Sequence, residues 1–290
     1  MDTADDGFVK REIKLSAGTI HYRERGKGDP LVFVHGFGAN GRLWDATTAT
    51  LAPEHRCIVP DWPLGSHSEP MNESADLTPP GIAALISEFL VALDLNDVTI
   101  VGNDSGGAVS QILVTEMPAR IGRLVLTNCD CFEKFPPAHF KAMAAFCRTP
   151  GAAKALAHSM RSERLRRSPL AYGALTESPM DAELLEAFAG PQLADPAIGR
   201  DGVKFFGSVD KRYTLAAAEK LRDLSIPVLL AWGDADRFFT VDDARRLADL
   251  IPDSTLVRIA GGRTFVPIDR PAEVATAIAA FLVREPATVI

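Results

Sequence analysis

The chain has 290 residues, 47% hydrophobic and 24% charged, and its 38 Asp and Glu outnumber its 31 Lys and Arg for a net charge of −7. At about 150 residues per domain, that length fits two domains or one core with a large insertion. The composition excludes collagen, coiled coil and general disorder, and the acidic balance argues against a nucleic-acid binder, which needs a basic face for phosphates. No apolar run approaches the roughly 18 residues of a membrane span. The opening residues, Met1-Asp2-Thr3-Ala4-Asp5-Asp6, are acidic where a secretory signal is basic and then apolar. Cys57, Cys129, Cys131 and Cys147 are too few for a disulfide framework, so a reduced, cytoplasmic setting is expected.

Phe8 to Leu15 and Gly18 to Arg23 alternate in polarity and are joined by Ser16-Ala17-Gly18, which predicts a hairpin. Leu31 to His35 is a nearly continuous apolar run, the pattern of a strand buried on both faces. A helix over Trp44 to Ala52 and a second buried strand, Cys57 to Pro60, follow. Between Thr78 and Leu95 the residues Ile82, Leu85, Ile86, Phe89, Leu90 and Leu93 recur at helical spacing. Val98 to Val101 reads as a strand, Ala108 to Glu116 as a helix, and Arg123 to Thr127 as a strand. This alternation calls for a mostly parallel sheet with helices on both faces.

The rhythm stops near Asp130 and resumes at Ile226. The stretch between reads as helices broken at Pro136-Pro137, Pro150-Gly151, Pro169, Pro179 and Pro191. It predicts a helical cap, residues 131–222, inserted after the sixth core strand into a core made of 1–130 and 223–290. The cap holds 14 Lys or Arg against 10 Asp or Glu. Its cluster Arg161, Arg164, Arg166 and Arg167 reads as a solvated helix face, with attraction for an anionic substrate as the rival reading. Pro227 to Trp232, Val241 to Leu250, Thr255 to Ile259 and Pro271 to Val283 then read as strand, helix, strand and helix.

Val101-Gly102-Asn103-Asp104-Ser105-Gly106-Gly107 lies between a predicted strand and a predicted helix and fits Gly-x-nucleophile-x-Gly. Such a turn projects its central side chain outward, and small residues two before and two after leave room for it. The central residue here is Asp104. A register centred on Ser105 puts Asn103 at the position that should be small, and fits less well. A helix-capping Asp104 in an ordinary turn is the plain alternative.

His35-Gly36-Phe37-Gly38 after the first buried strand and Asp61-Trp62-Pro63-Leu64-Gly65-Ser66-His67-Ser68 after the second complete a pattern. With the turn at Asp104, they resemble the α/β-hydrolase superfamily over nearly the whole chain. The fold implied is a mostly parallel central sheet with helices on both faces and a helical cap. An Asp at the turn is similar to the branch of epoxide hydrolases and haloalkane dehalogenases. Trp232-Gly233-Asp234-Ala235-Asp236 matches that family's acid loop and points to Asp236, with Asn128 and Asp130 after the sixth strand as the alternative. Gly36-Phe37-Gly38-Ala39-Asn40-Gly41, with Asp61 twenty residues on, also imitates a dinucleotide-binding fingerprint. Two strands precede it, however, and it leaves the Asp104 turn unexplained, so no cofactor is expected.

The resemblance implies that the Asp104 carboxylate attacks an sp³ carbon of a small molecule to form an alkyl ester, with the N–H groups of Phe37 and Ser105 meeting charge when that ester is hydrolysed. Dehalogenases often place Trp after the nucleophile and Asn after His-Gly; here those positions are Ser105 and Phe37, which disfavours dehalogenation. Epoxide hydrolases protonate the ring oxygen with cap tyrosines, for which Tyr172 and Tyr213 are the candidates. The family's triad histidine should follow the last strand, where this chain reads Ala260-Gly261-Gly262-Arg263-Thr264-Phe265-Val266-Pro267. Thr264 takes that place, and no histidine follows His158. Threonine is no base near neutral pH. The open alternatives are a relocated base (His35, His67 or His139), a general-base role for Asp104, a pairing of Arg263 with Asp236 or Asp104, or a non-hydrolytic binding protein or cofactor-free lyase. Cys129 and Cys131 lack a partner pair for a metal site. The expected partner is a small-molecule substrate, with no nucleic acid and no membrane; nothing in the sequence speaks to oligomeric state.

Overall fold

Alternating side chains make the first hairpin of the computed structural model, which describes residues 7–283; the acidic hexapeptide before them lies outside the described residues. Strands β1 (Val9–Leu15) and β2 (Gly18–Arg25) pair antiparallel, with Ile13 opposite Ile20. The apolar runs form β3 (Pro30–Val34) and β4 (Arg56–Pro60), with α1 (Asp45–Leu51) between them. Helix α2 (Pro79–Ala92) starts where the Thr78 side chain accepts the Gly81 N–H, and it buries Ile82, Leu85, Ile86, Phe89 and Leu90. The next elements are β5 (Val98–Asp104), α3 (Ser105–Glu116) and β6 (Ile121–Cys129).

Six α-helices then intervene among the described residues: α4 (Lys141–Cys147), α5 (Ala152–Met160), α6 (Glu163–Arg166), α7 (Ala182–Ala194), α8 (Pro196–Ser208) and α9 (Lys211–Leu221). The chain returns through β7 (Val228–Gly233), α10 (Val241–Leu250), β8 (Ser254–Ile259), α11 (Val266–Asp269) and α12 (Pro271–Leu282). The eight strands form one sheet in the order β1-β2-β4-β3-β5-β6-β7-β8, parallel from β4 to β8. Alternate residues feed its two faces. Val32 and Val34 join the cluster holding Ile86 and Leu113, whereas Leu31 and Phe33 join the one holding Trp44 and Ile278.

One predicted break is absent. Pro191 lies inside α7. A proline cannot donate to the carbonyl four residues back, here that of Ala187. Asn40 Nδ2, from the loop after β3, reaches that carbonyl at 2.8 Å instead, and Ser66 Oγ bonds the neighbouring Phe188 carbonyl at 2.5 Å. The proline is tolerated because the core supplies the missing donor, and the same bonds moor the helical insertion. Asn40→Ala should therefore cost about 1–3 kcal/mol in urea unfolding. Adding Pro191→Ala, whose N–H can satisfy Ala187, should recover part of that loss; strict additivity of the two changes would refute the coupling.

Candidate active site

Strand β5 ends at Asp104 and α3 begins at Ser105, with nothing between them. Asp104 has φ 54° and ψ −134°, a region that residues other than glycine rarely occupy. The turn is crowded from below: a Cβ on Gly106 would lie 2.3 Å from the His35 carbonyl oxygen. It is also crowded from the side, because a Cβ on Gly36 would lie 2.1 Å from Asp104 Oδ2. Asp104 stands at the N-cap of α3, yet its side chain makes no capping bond. The plain capping role is excluded, and the carboxylate faces a cavity instead.

That cavity, of about 110 Å³, has Asp104, Ser105, Asp130, Tyr172 and Gln192 as its polar side chains against a largely apolar wall that includes Phe37, Phe140, Met143, Leu156 and Phe206. Phe37 stacks on Phe206 with ring centroids 4.4 Å apart, so core and insertion share the wall. A dry apolar cavity of roughly 150 Å³ holds a benzene molecule, which sets the scale of an occupant. Burial pushes Asp104 up to about 7, opposed by the Ser105 N–H and reinforced by the charge of Asp236.

Asp130 follows β6 directly, and its N–H reaches the Asp104 carbonyl at 3.4 Å. It is 3% exposed, and one carboxyl oxygen has no hydrogen-bond partner. Burial, and then the neighbouring charge of Asp104, raise it well above the usual carboxylate range.

Asp236, on the loop after β7, is built differently. Its Oδ1 accepts the N–H groups of Phe238 and Phe239 at 2.8 and 3.2 Å, and its Oδ2 accepts Asn128 Nδ2 and Thr264 Oγ, both at 3.0 Å. Burial pushes it up to about 6 against these four donors. Asn128 also donates to the Gly233 carbonyl at 3.0 Å and accepts the Gly233 N–H at 2.7 Å, so it positions the acid loop. The sequence reading missed Asn103: this fully buried amide donates to the Thr264 carbonyl at 2.7 Å and ties the Asp104 turn to the loop after β8. Its signal was a polar residue just ahead of Asp104, on a strand otherwise buried. Asp236, Asn128 and Thr264 do not line the cavity.

Several expected site residues are committed elsewhere. His35 Nε2 accepts the Trp62 N–H at 2.9 Å while Nδ1 donates to the Gly36 carbonyl at 2.9 Å, and burial lowers its pKa to about 4. It joins two loops and is not a base in the cavity. His67 pairs with buried Asp201 at 3.2 Å, and His139 is exposed beside Phe140 and Phe238. The Phe37 N–H, expected to face an oxyanion, already donates to Ser105 Oγ at 2.8 Å. Tyr172 lines the cavity, but its hydroxyl donates to the Gly38 carbonyl at 2.6 Å.

Tyr213 is outside the cavity, its hydroxyl held by Arg212 at 2.8 Å. Arg263 donates to the Thr176 carbonyl at 2.9 Å and meets neither Asp104 nor Asp236. Asp61 accepts the Gly41 N–H at 2.8 Å, a bond that closes its loop. Arg161 and Arg164 are exposed and Arg167 pairs with Glu163, in keeping with a solvated face, whereas Arg166 is buried and pairs with Glu186. Among the described residues no group of His, Cys, Asp and Glu is placed to hold a metal, and no helix is long and apolar enough to cross a membrane.

The chain belongs to the alpha/beta hydrolase fold family, which matches residues 29–271. It is similar to haloalkane dehalogenase 2 of Mycobacterium tuberculosis, 27% identical over 282 residues, 93% of this chain and 94% of the relative. It is also similar to a cis-3-alkyl-4-alkyloxetan-2-one decarboxylase of Shewanella oneidensis, 24% identical over 285 residues, 95% of this chain and 88% of the relative. Among solved structures, the epoxide hydrolase CorEH matches with a TM-score of 0.79 at 20% identity, covering 95% of this chain and 98% of its own. Haloalkane dehalogenase DbeA from Bradyrhizobium elkani USDA94 matches with a TM-score of 0.79 at 18% identity, covering 95% and 97%.

Because the fold raises Asp104 to about 7, the native state holds a proton that the unfolded chain has released above about 4. Stability from this group is full below about pH 4 and is lost as pH rises toward 7. Asp104→Asn should accordingly stabilise the protein at pH 8 by about 1–3 kcal/mol and leave it unchanged near pH 4. Thermal melts at the two pH values check this, and an equal gain at both would contradict it.

Proposed function

We propose that the protein is a hydrolase that opens a small, largely apolar electrophile by attack of the Asp104 carboxylate, in the manner of an epoxide hydrolase, with residues 131–222 as its cap. The observation that carries this reading is a carboxylate held in a rare backbone conformation, spared from capping its helix, and facing an apolar cavity. Attack on an sp³ carbon gives an alkyl ester on Asp104, and water attack on the ester carbonyl releases the product. The Ser105 N–H, beside the carboxyl group, meets charge developing there. The named relatives act on haloalkanes, epoxides or oxetanones, all with a reactive carbon. Ser105 and Phe37 offer no indole or amide side chain to a halide, which favours a substrate whose leaving group is oxygen. The chemistry needs no cofactor, and a reducing, cytoplasmic setting suits four buried free cysteines.

Thr264, at the place where the family resemblance puts the histidine, favours a second reading, that of a cofactor-free lyase. If Asp104 opens a four-membered lactone, the freed carboxylate can leave as carbon dioxide while a carbon–carbon double bond forms and Asp104 is expelled. No base is required for that release.

Incubation with a panel of epoxides, alkyl halides, activated esters and oxetanones, followed by intact mass and product analysis, tests both. Hydrolysis predicts a diol or alcohol, and isotopically labelled water should leave label in the Asp104 carboxyl group. Asp104→Ala should lose on the order of 10³-fold or more in turnover. Full turnover by that variant would refute the reading, and alkene with carbon dioxide would select the lyase.

A further inference from the structure

We infer that Asp130 is a further catalytic residue, which gives its proton to the leaving oxygen as Asp104 attacks and then takes a proton from the water that resolves the ester. The inference rests on Asp104 acting as the nucleophile. Three observations point to it. Asp130 and Asp104 sit at the adjoining ends of β6 and β5, linked by the backbone bond from the Asp130 N–H, and both line the cavity. Asp130 is 3% exposed with one carboxyl oxygen unpartnered. A buried polar atom without a partner is expensive, and Asp130 lacks the set of donors that holds Asp236.

The third observation is elimination. Among the described residues the cavity lining holds no His, Lys, Arg, Cys or Glu, and its titratable side chains are Asp104, Asp130 and Tyr172. The Tyr172 hydroxyl is already engaged, donating its hydrogen bond to the Gly38 carbonyl.

The electrostatics agree with this division of labour. The titratable groups that face Asp130 are Asp104, Asp236 and the thiols of Cys129 and Cys131; Lys134 and Arg246 act on the Cys131 side, and neither is among the groups that shift Asp130. Burial, and then the charge of Asp104, raise Asp130 well above the usual carboxylate range, the direction a proton donor beside a carboxylate nucleophile requires.

With an epoxide, the steps balance. An Asp104 oxygen bonds to a ring carbon, that carbon's bond to the ring oxygen breaks, and the oxygen takes the Asp130 proton. Water then adds to the ester carbonyl of Asp104 as Asp130 recovers a proton from it. The carbonyl–alkoxy bond breaks, and the second water proton leaves on the released oxygen. Asp104 ends ionised and Asp130 protonated, as they began. One carboxyl serving first as acid and then as base is established chemistry for covalent carboxylate enzymes.

Two probes separate the roles: styrene oxide, whose leaving oxygen needs a proton, and benzyl bromide, whose bromide needs none. The readout is Asp104 alkylation and ester lifetime by mass spectrometry. In Asp130→Asn, alkylation by benzyl bromide should stay within about threefold of the unsubstituted protein, while reaction with styrene oxide falls about 100-fold or more. The benzyl ester should persist in the variant and turn over in the unsubstituted protein. Equal epoxide rates and equal ester lifetimes would overturn the assignment of Asp130 alone. Absence of Asp104 alkylation by either probe in the unsubstituted protein would sink the nucleophile itself, and Asp130 with it. A measurement on the unsubstituted protein covers a variant that fails to fold. Alkylation by benzyl bromide should rise through about pH 7 with Asp104 ionisation and level off, whereas epoxide opening should rise and then fall as Asp130 loses its proton; a plateau for both would refute the role.

Discussion

The strand-to-helix turn at Asp104 is the constraint on which the rest depends. Holding a non-glycine residue at a φ of 54° costs on the order of 1–3 kcal/mol, and the surroundings leave it no alternative. Gly36 and Gly106 let the loop after β3 and the first turn of α3 close on it with no room for side chains. His35 must then be neutral, because one nitrogen accepts from Trp62 while the other donates to Gly36. Asn103, one residue earlier, points to the opposite side and secures the loop that carries Thr264. One turn thus fixes the positions of the cavity floor, the loop after β3 and the loop after β8.

Three carboxyls meet at this turn, Asp104 half-buried and Asp130 and Asp236 buried, and they differ mainly in how many donors they have. Asp236 has four and is structurally satisfied. Asp104 has the Ser105 N–H, and Asp130 leaves one oxygen bare. In a low-dielectric site an unsatisfied acid is costly to ionise, so this ordering of donors also orders the chemistry available to each group. The apolar wall of the cavity adds to the desolvation of the two carboxyls that line it, Asp104 and Asp130.

Much of the fold was legible because strands buried on both faces read as apolar runs. Leu31–Val34 and Val228–Trp232 are legible on that ground alone. Helix α3 was expected to begin at Ala108 and begins at Ser105, since consecutive glycines argue against helix by propensity while the crowding at Gly106 demands them. Pro191 misled for a similar reason: its missing bond is supplied from Asn40, about 150 residues away in sequence. At the site, the strand-to-helix turn at Asp104 was legible from local pattern, while Asp236 was placed on its loop by the family resemblance. Tyr213, Arg263 and His35 were not, because residue type says what a side chain can do and tertiary contacts decide where it is already engaged.

Thr264 alters the meaning of Asp236. An imidazole between an acid and a nucleophile lets that acid act through a cation when the imidazole is protonated. A threonine hydroxyl donates its bond to Asp236 at 3.0 Å and carries no charge onward. The negative field of Asp236 therefore reaches Asp104 uncompensated and adds to the burial that raises it. Asp104 is then only partly ionised near neutrality, a handicap for displacing a group that must leave unaided. It is a smaller handicap where a neighbouring acid makes the leaving group depart as an alcohol. On the proposed reading, the burial and the Asp236 charge that raise Asp104 therefore favour a substrate whose oxygen leaving group takes a proton from Asp130.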